Sequence, residues 1–492
     1  MPDSSASSAP SAARISRAVR VLATGRAPGL AIAFAIPLVL ARTFDQAEFG
    51  TYKQLFLIYA TLFGIAQLGM AESLYFFVPR ESSTAGRHVA NAFTALAAIG
   101  VACVGVLFAF RSEIAERLSN PALVPHLVPL GWFLALTLVS AVFEIVLISR
   151  RKPAAAAWAY ALSDIGRAAC FVIPAALAFG LRGVMAGAVA FAAVRVMVTI
   201  VALWREFGAA LRPDLRVLTK QLAYALPFAL AVGIEVLHIN WHQYAVAARF
   251  DAAAFAVYAV GCLQVPVIDL IVTSAVNVMM VEMAVVKDRD LAAARSLWHD
   301  TISRLAFMIF PLAAFLIVMA HHIIVLLFTA TYAASAQIFM LWSLTILASV
   351  LVVDGVLRVF AQTKYLVLQN FVQLLLVAAL VGPFLSMFGL GGAVIATLLA
   401  AVLIKTIAVV RISRLMGVSL AAALPYRRLA TAAMCAAVAA APTFAVAKGS
   451  HLPPLVALPL AAAVYGMTYA LLYYSIGREP RPQLIETAPT TI

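Results

Sequence analysis

Long runs of apolar residues dominate the chain, and short stretches rich in charged or turn-forming residues separate them. A helix that crosses a bilayer needs about 20 mostly apolar residues. The runs are continuous and do not alternate in polarity, which favours helices over a β-barrel. The pattern predicts an all-α polytopic membrane protein with about fourteen spans, at residues 18–40, 54–78, 88–110, 127–149, 154–179, 183–204, 222–248, 254–282, 305–328, 335–357, 365–387, 390–410, 429–447 and 454–476.

Composition supports a membrane protein. Of the 492 residues, 64% are hydrophobic and only 11% are charged, which is too apolar for a soluble protein. Residues 1–17 begin with a Ser/Ala-rich segment without periodicity and are predicted to form a disordered cytoplasmic tail. The first apolar run is too long for the core of a signal peptide, so we expect it to be retained as a helix.

The basic residues predict how the chain is oriented in the membrane. Of the 35 Lys and Arg residues, 24 fall in the tails and connections on one side of the predicted spans and only 7 on the other. Basic residues concentrate in cytoplasmic segments, so both termini are predicted to be cytoplasmic. The net charge of +14 is spread over eight segments, which suits anionic membrane lipids and not nucleic acid.

A nine-residue pattern occurs twice. Residues 44–52 read FDQAEFGTY and residues 250–258 read FDAAAFAVY, and both copies lie between spans on the predicted outer face. Six spans separate them, so both point the same way. This predicts two six-helix lobes related by a parallel pseudo-twofold repeat, as in secondary transporters. The predicted lobes are residues 18–212 and 213–418, and residues 419–492 add a C-terminal helix pair and a cytoplasmic tail.

The region of the first copy resembles a known family. The resemblance lies in Arg42, Phe44, Asp45, Glu48, Phe49, Gly50, Tyr52, Gly64, Gly69 and the run FFVPR at residues 76–80. These residues resemble the N-terminal signature of Wzx-type polysaccharide flippases, which belong to the MOP superfamily with the lipid II flippase MurJ and the MATE antiporters. The small residue usual before the Glu-Phe-Gly element is replaced here by Phe44-Asp45.

The resemblance implies a function and a location. It implies a bacterial inner-membrane flippase that moves undecaprenyl-diphosphate-linked oligosaccharide units for O-antigen or exopolysaccharide synthesis. Alternating access would proceed by rocking about the two motif copies. The expected partners are the lipid-linked oligosaccharide, membrane lipids, a polysaccharide polymerase and a chain-length regulator. No cofactor is expected, and H⁺ or Na⁺ is the candidate coupling ion.

Charged residues inside the spans mark the candidate site, because charge within a bilayer is costly and tends to be functional. The cationic candidates are Arg26, Arg167, Arg195 and Lys405. Guanidinium groups engage phosphate oxygens in pairs, so these residues could line an anion-binding cavity. The alternatives are snorkelling for Lys405 and an i,i+3 salt bridge between Arg167 and Asp164.

A second group of candidates concerns coupling or gating. Glu235, His238 and His242 lie on one face of the seventh span, where they could form a proton relay or ordinary hydrogen bonds between helices. Asp164 of the fifth span and Asp269 beside Pro266 are further candidates for coupling or gating. Asp269 has no partner on its own helix, and Glu144 is expected to be similarly isolated. No zinc site is predicted, because no His or Cys recurs with suitable spacing.

Two further functions were weighed against the flippase. A cation-coupled multidrug antiporter of the MATE type would have twelve spans and an acidic site, whereas this sequence has more spans and deep arginines. A membrane polysaccharide polymerase or glycosyltransferase would bring a large extramembrane loop, and the longest connections here are short. The sequence also has no phosphate-binding Gly loop. We therefore expect a transporter and not an enzyme.

Overall fold

The computed structural model describes residue 29, residues 31–449 and residues 453–476. Arg26 and the predicted tail at residues 1–17 lie outside the described residues. In the described part the chain is helical and has no strand. The helices are α1 Ala31–Thr43, α2 Gln46–Ala66, α3 Met70–Arg80, α4 Ala85–Ala109, α5 Arg111–Arg117, α6 Val124–Ser140, α7 Val142–Ser149, α8 Pro153–Ala176, α9 Gly180–Phe207, α10 Leu215–Ala247, α11 Ala252–Gly261, α12 Pro266–Val286, α13 Leu291–Val318, α14 Ala320–Phe328, α15 Ser335–Ser349, α16 Val353–Val359, α17 Thr363–Phe388, α18 Leu390–Leu415, α19 Leu420–Ala423, α20 Tyr426–Gly449 and α21 Pro454–Ile476.

The predicted all-helical membrane architecture is confirmed. Among the described residues, thirteen helical segments are long and apolar enough to cross a membrane, and they correspond to predicted spans two to fourteen. The first predicted span is described only in part, as the shorter helix α1. The count of fourteen and the twofold repeat therefore stay predictions.

Five of the predicted continuous spans are broken in the described part of the structure. The second span breaks between α2 and α3, where Leu68 and Gly69 have φ of 44° and 65°. The eighth breaks before Pro266, whose ring restricts the residue preceding it. The tenth breaks at Val352, which has φ 40°, an unusual conformation for a β-branched residue. Two spans are interrupted at a single residue, the fourth at Ala141 between α6 and α7 and the ninth at Met319 between α13 and α14.

The chain divides into two compact units by its internal contacts. The first unit comprises residues 1–260 and 367–397, and the second comprises residues 261–366 and 398–492. The lobe boundaries predicted from the sequence stay a prediction.

Within the first unit, α6 lies against both α4 and α9, α8 packs on α9, and α2 packs on α10. Fully buried aliphatic side chains of the broken spans, among them Met70, Leu74, Leu138 and Val142, form a core with α4. Because this core clamps both sides of two helix breaks, burial of these apolar groups fixes the half-helices in place.

Within the second unit, α13 packs against α12, α15 and α20, and α20 packs against α21. Trp298 on α13 is completely buried, and its indole N–H donates to the carbonyl of Leu351 at the break before α16, with N and O 3.1 Å apart. This bond satisfies a carbonyl that the broken helix would otherwise leave unpaired. Tyr465 and Tyr469 of α21 stack on each other and pack with Cys435 of α20 in a buried apolar cluster.

Both motif copies start a helix in the same way. Asp45 accepts from the backbone N–H of Glu48 at 2.8 Å, and Asp251 accepts from that of Ala254 at 2.8 Å. Each aspartate is therefore an N-cap, a position that favours Asp. In each copy the first Phe directly precedes the N-cap Asp, and the second Phe lies four residues after that Asp. This is the spacing of a hydrophobic staple.

Candidate functional site

Arg167 and Asp164 form the first charged pair within the spans. They lie one turn apart on α8, and Arg167 Nη2 donates to Asp164 Oδ1 at 2.8 Å, so the predicted i,i+3 pairing is confirmed. Gly29 lies against the same carboxylate, because a Cβ at this position would be 2.0 Å from Asp164 Oδ2. The pair therefore lies where α8 and the start of the described chain meet, and any side chain at residue 29 would displace it.

Arg195 and Glu144 form the second pair, which joins α9 to α7. Arg195 Nη2 lies 2.8 Å from both carboxylate oxygens of Glu144. The Glu144 side chain is 3% exposed and that of Arg195 is 22% exposed. The expectation that Glu144 is isolated is wrong, because the fold brings a guanidinium from another helix onto it. A buried carboxylate without such a partner would pay a large desolvation cost.

The two pairs belong to one polar cluster, which also contains Tyr59. Tyr59 lies within electrostatic range of both Arg167 and Arg195, and Asp164 lies within range of Glu144. The cluster holds two positive and two negative groups, so it is neutral overall. The Nε atoms of both arginines are buried and have no hydrogen-bond partner among the described residues, which leaves N–H donors in the cluster unused.

One face of α2 carries a row of aromatic side chains beside this cluster, which we call the aromatic wall. The sequence analysis did not predict it. Tyr52, Phe56, Tyr59 and Phe63 follow one another at helical spacing, with neighbouring ring centroids 4.6 to 5.7 Å apart. Phe133 of α6 stacks on Tyr59 at 4.8 Å. The spacing of three and four residues between these aromatic residues could have predicted the wall, because residues so spaced share one face of a helix.

Lys405 lies in the second unit, apart from the polar cluster. It lines a cavity of about 420 Å³ whose other walls are mainly apolar side chains of α13, α15 and α18. Thr406 beside it and Leu429 of α20 complete the lining. Lys405 has no ion pair with any described residue. Its ammonium group is therefore a single positive charge in a mainly apolar groove.

The three candidate residues of the seventh span, Glu235, His238 and His242, have different surroundings in the structure. The side chain of His242 is buried, and its Nδ1 lies 2.6 Å from the hydroxyl of Tyr258 in the second motif copy. His238 lies within electrostatic range of His242, whereas Glu235 is exposed and has no bond to either histidine. For His242, the interpretation as a hydrogen bonder between helices is confirmed, and the proton relay stays a hypothesis.

Four of the five broken spans restart with an acidic residue in the first helical turn, and α14, after the break at Met319, does not. The four residues are Glu72 in α3, Glu144 in α7, Asp269 in α12 and Asp354 in α16. A carboxylate is favoured there because the start of a helix carries partial positive charge. Glu72 has a buried Oε2 without a hydrogen-bond partner among the described residues. Asp269 is exposed. The sequence did not reveal this pattern because it depends on where the helices break.

Outside the spans, ion pairs tie the turn between α3 and α4 to the start of α10. Glu81 contacts Lys220 and His88, and Arg87 lies 3.0 Å from Asp214. Hydrogen bonds from Lys220 and then from His88 lower the pKa of Glu81 to about 2. These contacts hold two connections of the first unit together on the side predicted to be cytoplasmic.

Comparisons with known proteins identify both family and fold. A model of the family described as polysaccharide biosynthesis protein matches residues 39–337, more than half of the chain. A solved structure of the lipid II flippase MurJ in an inward closed conformation is similar with a TM-score of 0.72 and 12% identity, and the match covers 94% of this chain and 100% of MurJ. No curated protein sequence matches the chain.

Two further structures have the same fold. An inward-facing multidrug resistance MATE family transporter matches with a TM-score of 0.61 and 13% identity, covering 79% of this chain and 95% of its own. A MOP superfamily transporter from Pyrococcus furiosus, titled as having a binding pocket of reverse polarity, matches with a TM-score of 0.54 and 14% identity, covering 81% and 96%. At such identities the likeness shows a shared fold.

Proposed function

Because this chain belongs to the polysaccharide biosynthesis protein family, we propose that it is a flippase for undecaprenyl-diphosphate-linked oligosaccharide. It would move repeat units from the cytoplasmic to the periplasmic leaflet of the bacterial inner membrane, for O-antigen or exopolysaccharide synthesis. Alternating access is the proposed mechanism. The broken spans support it, since interrupted helices at corresponding positions of two halves mark substrate sites in transporters.

The observation that carries this proposal is the pair of arginines, Arg167 and Arg195, held by carboxylates within the spans. A diphosphate is an oxygen-rich dianion, and the flat guanidinium groups can engage its oxygens in pairs. The unused Nε–H donors supply further hydrogen bonds. In this proposal Asp164 and Glu144 position the arginines and also balance their charge. They neutralise the arginines while no substrate is bound, which lowers the cost of keeping these cations in the membrane.

The aromatic wall suits the sugar part of such a substrate. The rings of Phe56 and Tyr59 offer apolar faces, and the Tyr59 hydroxyl offers a polar edge, a combination that suits sugar rings. In the second unit, Lys405 at the apolar groove of about 420 Å³ beside α20 stays a separate proposed contact for an anion. The role of Arg26 in the anion site is part of the same proposal.

A cation-coupled multidrug antiporter is the second candidate function. The buried, unpartnered Oε2 of Glu72 and the exposed carboxylate of Asp269 favour it, because acidic groups within spans can bind cations or protons. The same groups could instead supply ion coupling to the flippase.

The test uses proteoliposomes and a fluorescent lipid-linked oligosaccharide. The double variant Glu144→Gln/Arg195→Gln removes both charges of one pair, so no buried charge is left alone and the fold should survive. We expect transport to fall about 10-fold or more, because a charge-assisted contact to phosphate is lost. Arg205→Ala, on the exposed end of the same helix, is the matched control and should transport normally.

Two outcomes would contradict the flippase. Normal transport by the Glu144→Gln/Arg195→Gln variant, and also after the Arg167→Gln change, would remove the arginines from the site. Drug efflux from vesicles that do not move the oligosaccharide would favour the antiporter. In that case Glu72→Gln should abolish the drug efflux.

A further inference from the structure

Helix α13 of the second unit has a proline in its interior, Pro311. Proline has no backbone N–H, so the carbonyl of Phe307, four residues earlier, loses the donor that a regular helix would give it. We call residues 307–311 the proline turn. It lies within the predicted ninth span, where no water is available to replace the lost bond. The Phe307 carbonyl therefore needs a donor from another part of the fold.

That donor comes from α21. The Tyr469 hydroxyl donates to the carbonyl of Phe307, and the two oxygens are 3.1 Å apart. Tyr469 is buried, and its ring centroid lies 5.7 Å from that of Phe307. The ring of Tyr473, one turn further along α21, also contacts Phe307, at 4.5 Å. The hydroxyl thus supplies, from a different helix, the hydrogen bond that Pro311 cannot make.

The packing around Tyr469 reaches α13 on both sides of the proline. Phe310 precedes Pro311 and Phe315 follows it, and both pack against the buried cluster that contains Tyr469. Burial of these apolar groups holds the two halves of α13 against α20 and α21. Phe310 also lines the groove at Lys405, so the shape of the proline turn determines where one wall of that groove lies.

Tyr465, one turn earlier on α21, is an internal comparison for Tyr469. Its hydroxyl donates to the carbonyl of Ala436 on α20, also at 3.1 Å, and the two tyrosine rings are nearly parallel. The residue four positions after Ala436 is Ala440, whose N–H can serve the same carbonyl within α20. Of the two carbonyls, that of Phe307 is therefore the one that its own helix leaves without a donor.

The first unit covers a carbonyl of the same kind in another way. Pro174 in α8 removes the helical donor of the Cys170 carbonyl. Gly187 of α9 packs against this oxygen, since a Cβ there would be 2.0 Å from it. A Cα–H group is a weaker donor than a hydroxyl. The bond from Tyr469 therefore holds its proline turn more firmly than the contact at Pro174 does.

We propose that Tyr469 is a positioning residue of the second unit, whose hydroxyl holds the proline turn of α13. Helices bend at proline, and a bond from a neighbouring helix to the freed carbonyl limits that bending. Helix α21 thereby fixes how the two halves of α13 lie relative to each other. The inference rests on contacts within the second unit and does not depend on the flippase function.

The test is a double-mutant cycle on the purified full-length protein, unfolded with SDS in mixed micelles. Tyr469→Phe removes only the hydroxyl and should raise the unfolding equilibrium constant about 10-fold, because a carbonyl within a span loses its donor. Pro311→Ala restores the backbone N–H. In that background Tyr469→Phe should change the constant by less than about two-fold. Tyr465→Phe is the matched control, and its smaller effect should be the same in both backgrounds.

An effect of Tyr469→Phe that is equal in both backgrounds would overturn the proposal, because the hydroxyl would then act independently of the proline. Hydrogen exchange is the second readout and does not need the Pro311→Ala protein to fold. Peptides that cover residues 307–315 should exchange about 10-fold faster in Tyr469→Phe than in the wild type, and at the wild-type rate in Tyr465→Phe. Equal exchange of these peptides in the two Tyr→Phe variants would also contradict the assignment.

Discussion

The two motif copies can be compared position by position, because they start their helices alike and differ in what else they contact. The shared positions are Phe, Asp, Ala, Phe and Tyr, of which Asp caps the helix and the aromatic residues bury its first rings. Where they differ, the first copy has Glu48 and Gly50, and the second has Ala254 and Ala256. The shared Phe and Asp residues therefore account for how each helix starts, and what else each copy contacts depends on its remaining positions.

Glu48 and Gly50 of the first copy make contacts that the matching residues of the second copy do not. Glu48 Oε1 accepts from the backbone N–H of Leu181 at 2.6 Å and so caps the start of α9. Gly50 lies against the second copy itself, since a Cβ there would be 1.7 Å from the carbonyl oxygen of Ala252. The second copy instead bonds to α10, through Tyr258 and His242. Both copies thus lie at one junction of the first unit, where they touch each other.

The largest effect is expected from Gly50→Ala, which would break the contact between the copies. The added methyl group would meet a backbone carbonyl, which cannot rotate away as a flexible side chain can. We expect destabilisation of about 3 kcal/mol, seen as a lower unfolding midpoint and less folded protein after extraction. Gly105→Ala is the control, because a Cβ there meets nothing within 4 Å. Equal behaviour of the two variants would show that the copies do not pack in this way.

The next effect concerns the contact of Glu48 with α9. Glu48→Ala removes a charged acceptor from the first turn of α9, and we expect a loss of about 2 kcal/mol. Glu48→Gln keeps an acceptor oxygen without the charge and should lose about half as much. Thermal unfolding of both variants measures this. A Glu48→Ala protein as stable as the wild type would mean that the motif glutamate is not needed for folding and has another role.

How much of this could be predicted from the sequence depends on whether a contact is local. The spans follow from apolar runs, and the Asp164–Arg167 pair follows from i,i+3 spacing on one helix. The Arg195–Glu144 pair was missed because it joins α9 to α7, and no sequence spacing encodes that contact. The first-turn position of Glu72 was missed for a related reason, since hydropathy does not show that α2 ends where Leu68 takes a positive φ.

The smallest expected effect is a difference in stability between Phe variants of the two tyrosines that end the motif copies, Tyr52 and Tyr258. Tyr258→Phe loses the 2.6 Å hydrogen bond to the buried side chain of His242, so we expect a loss of about 1 kcal/mol. Tyr52→Phe should be nearly neutral, because the Tyr52 hydroxyl has no hydrogen bond to a described residue and its ring contacts with Phe49 and Phe56 remain.

The two Tyr→Phe proteins differ from the wild type by one oxygen each, so differences in their unfolding midpoints report the hydrogen bond and not packing. A larger loss in Tyr52→Phe than in Tyr258→Phe would reverse the assignment. The hydroxyl of the first copy would then be the one in use, and the aromatic wall beside Arg167 would become the place to look for its partner.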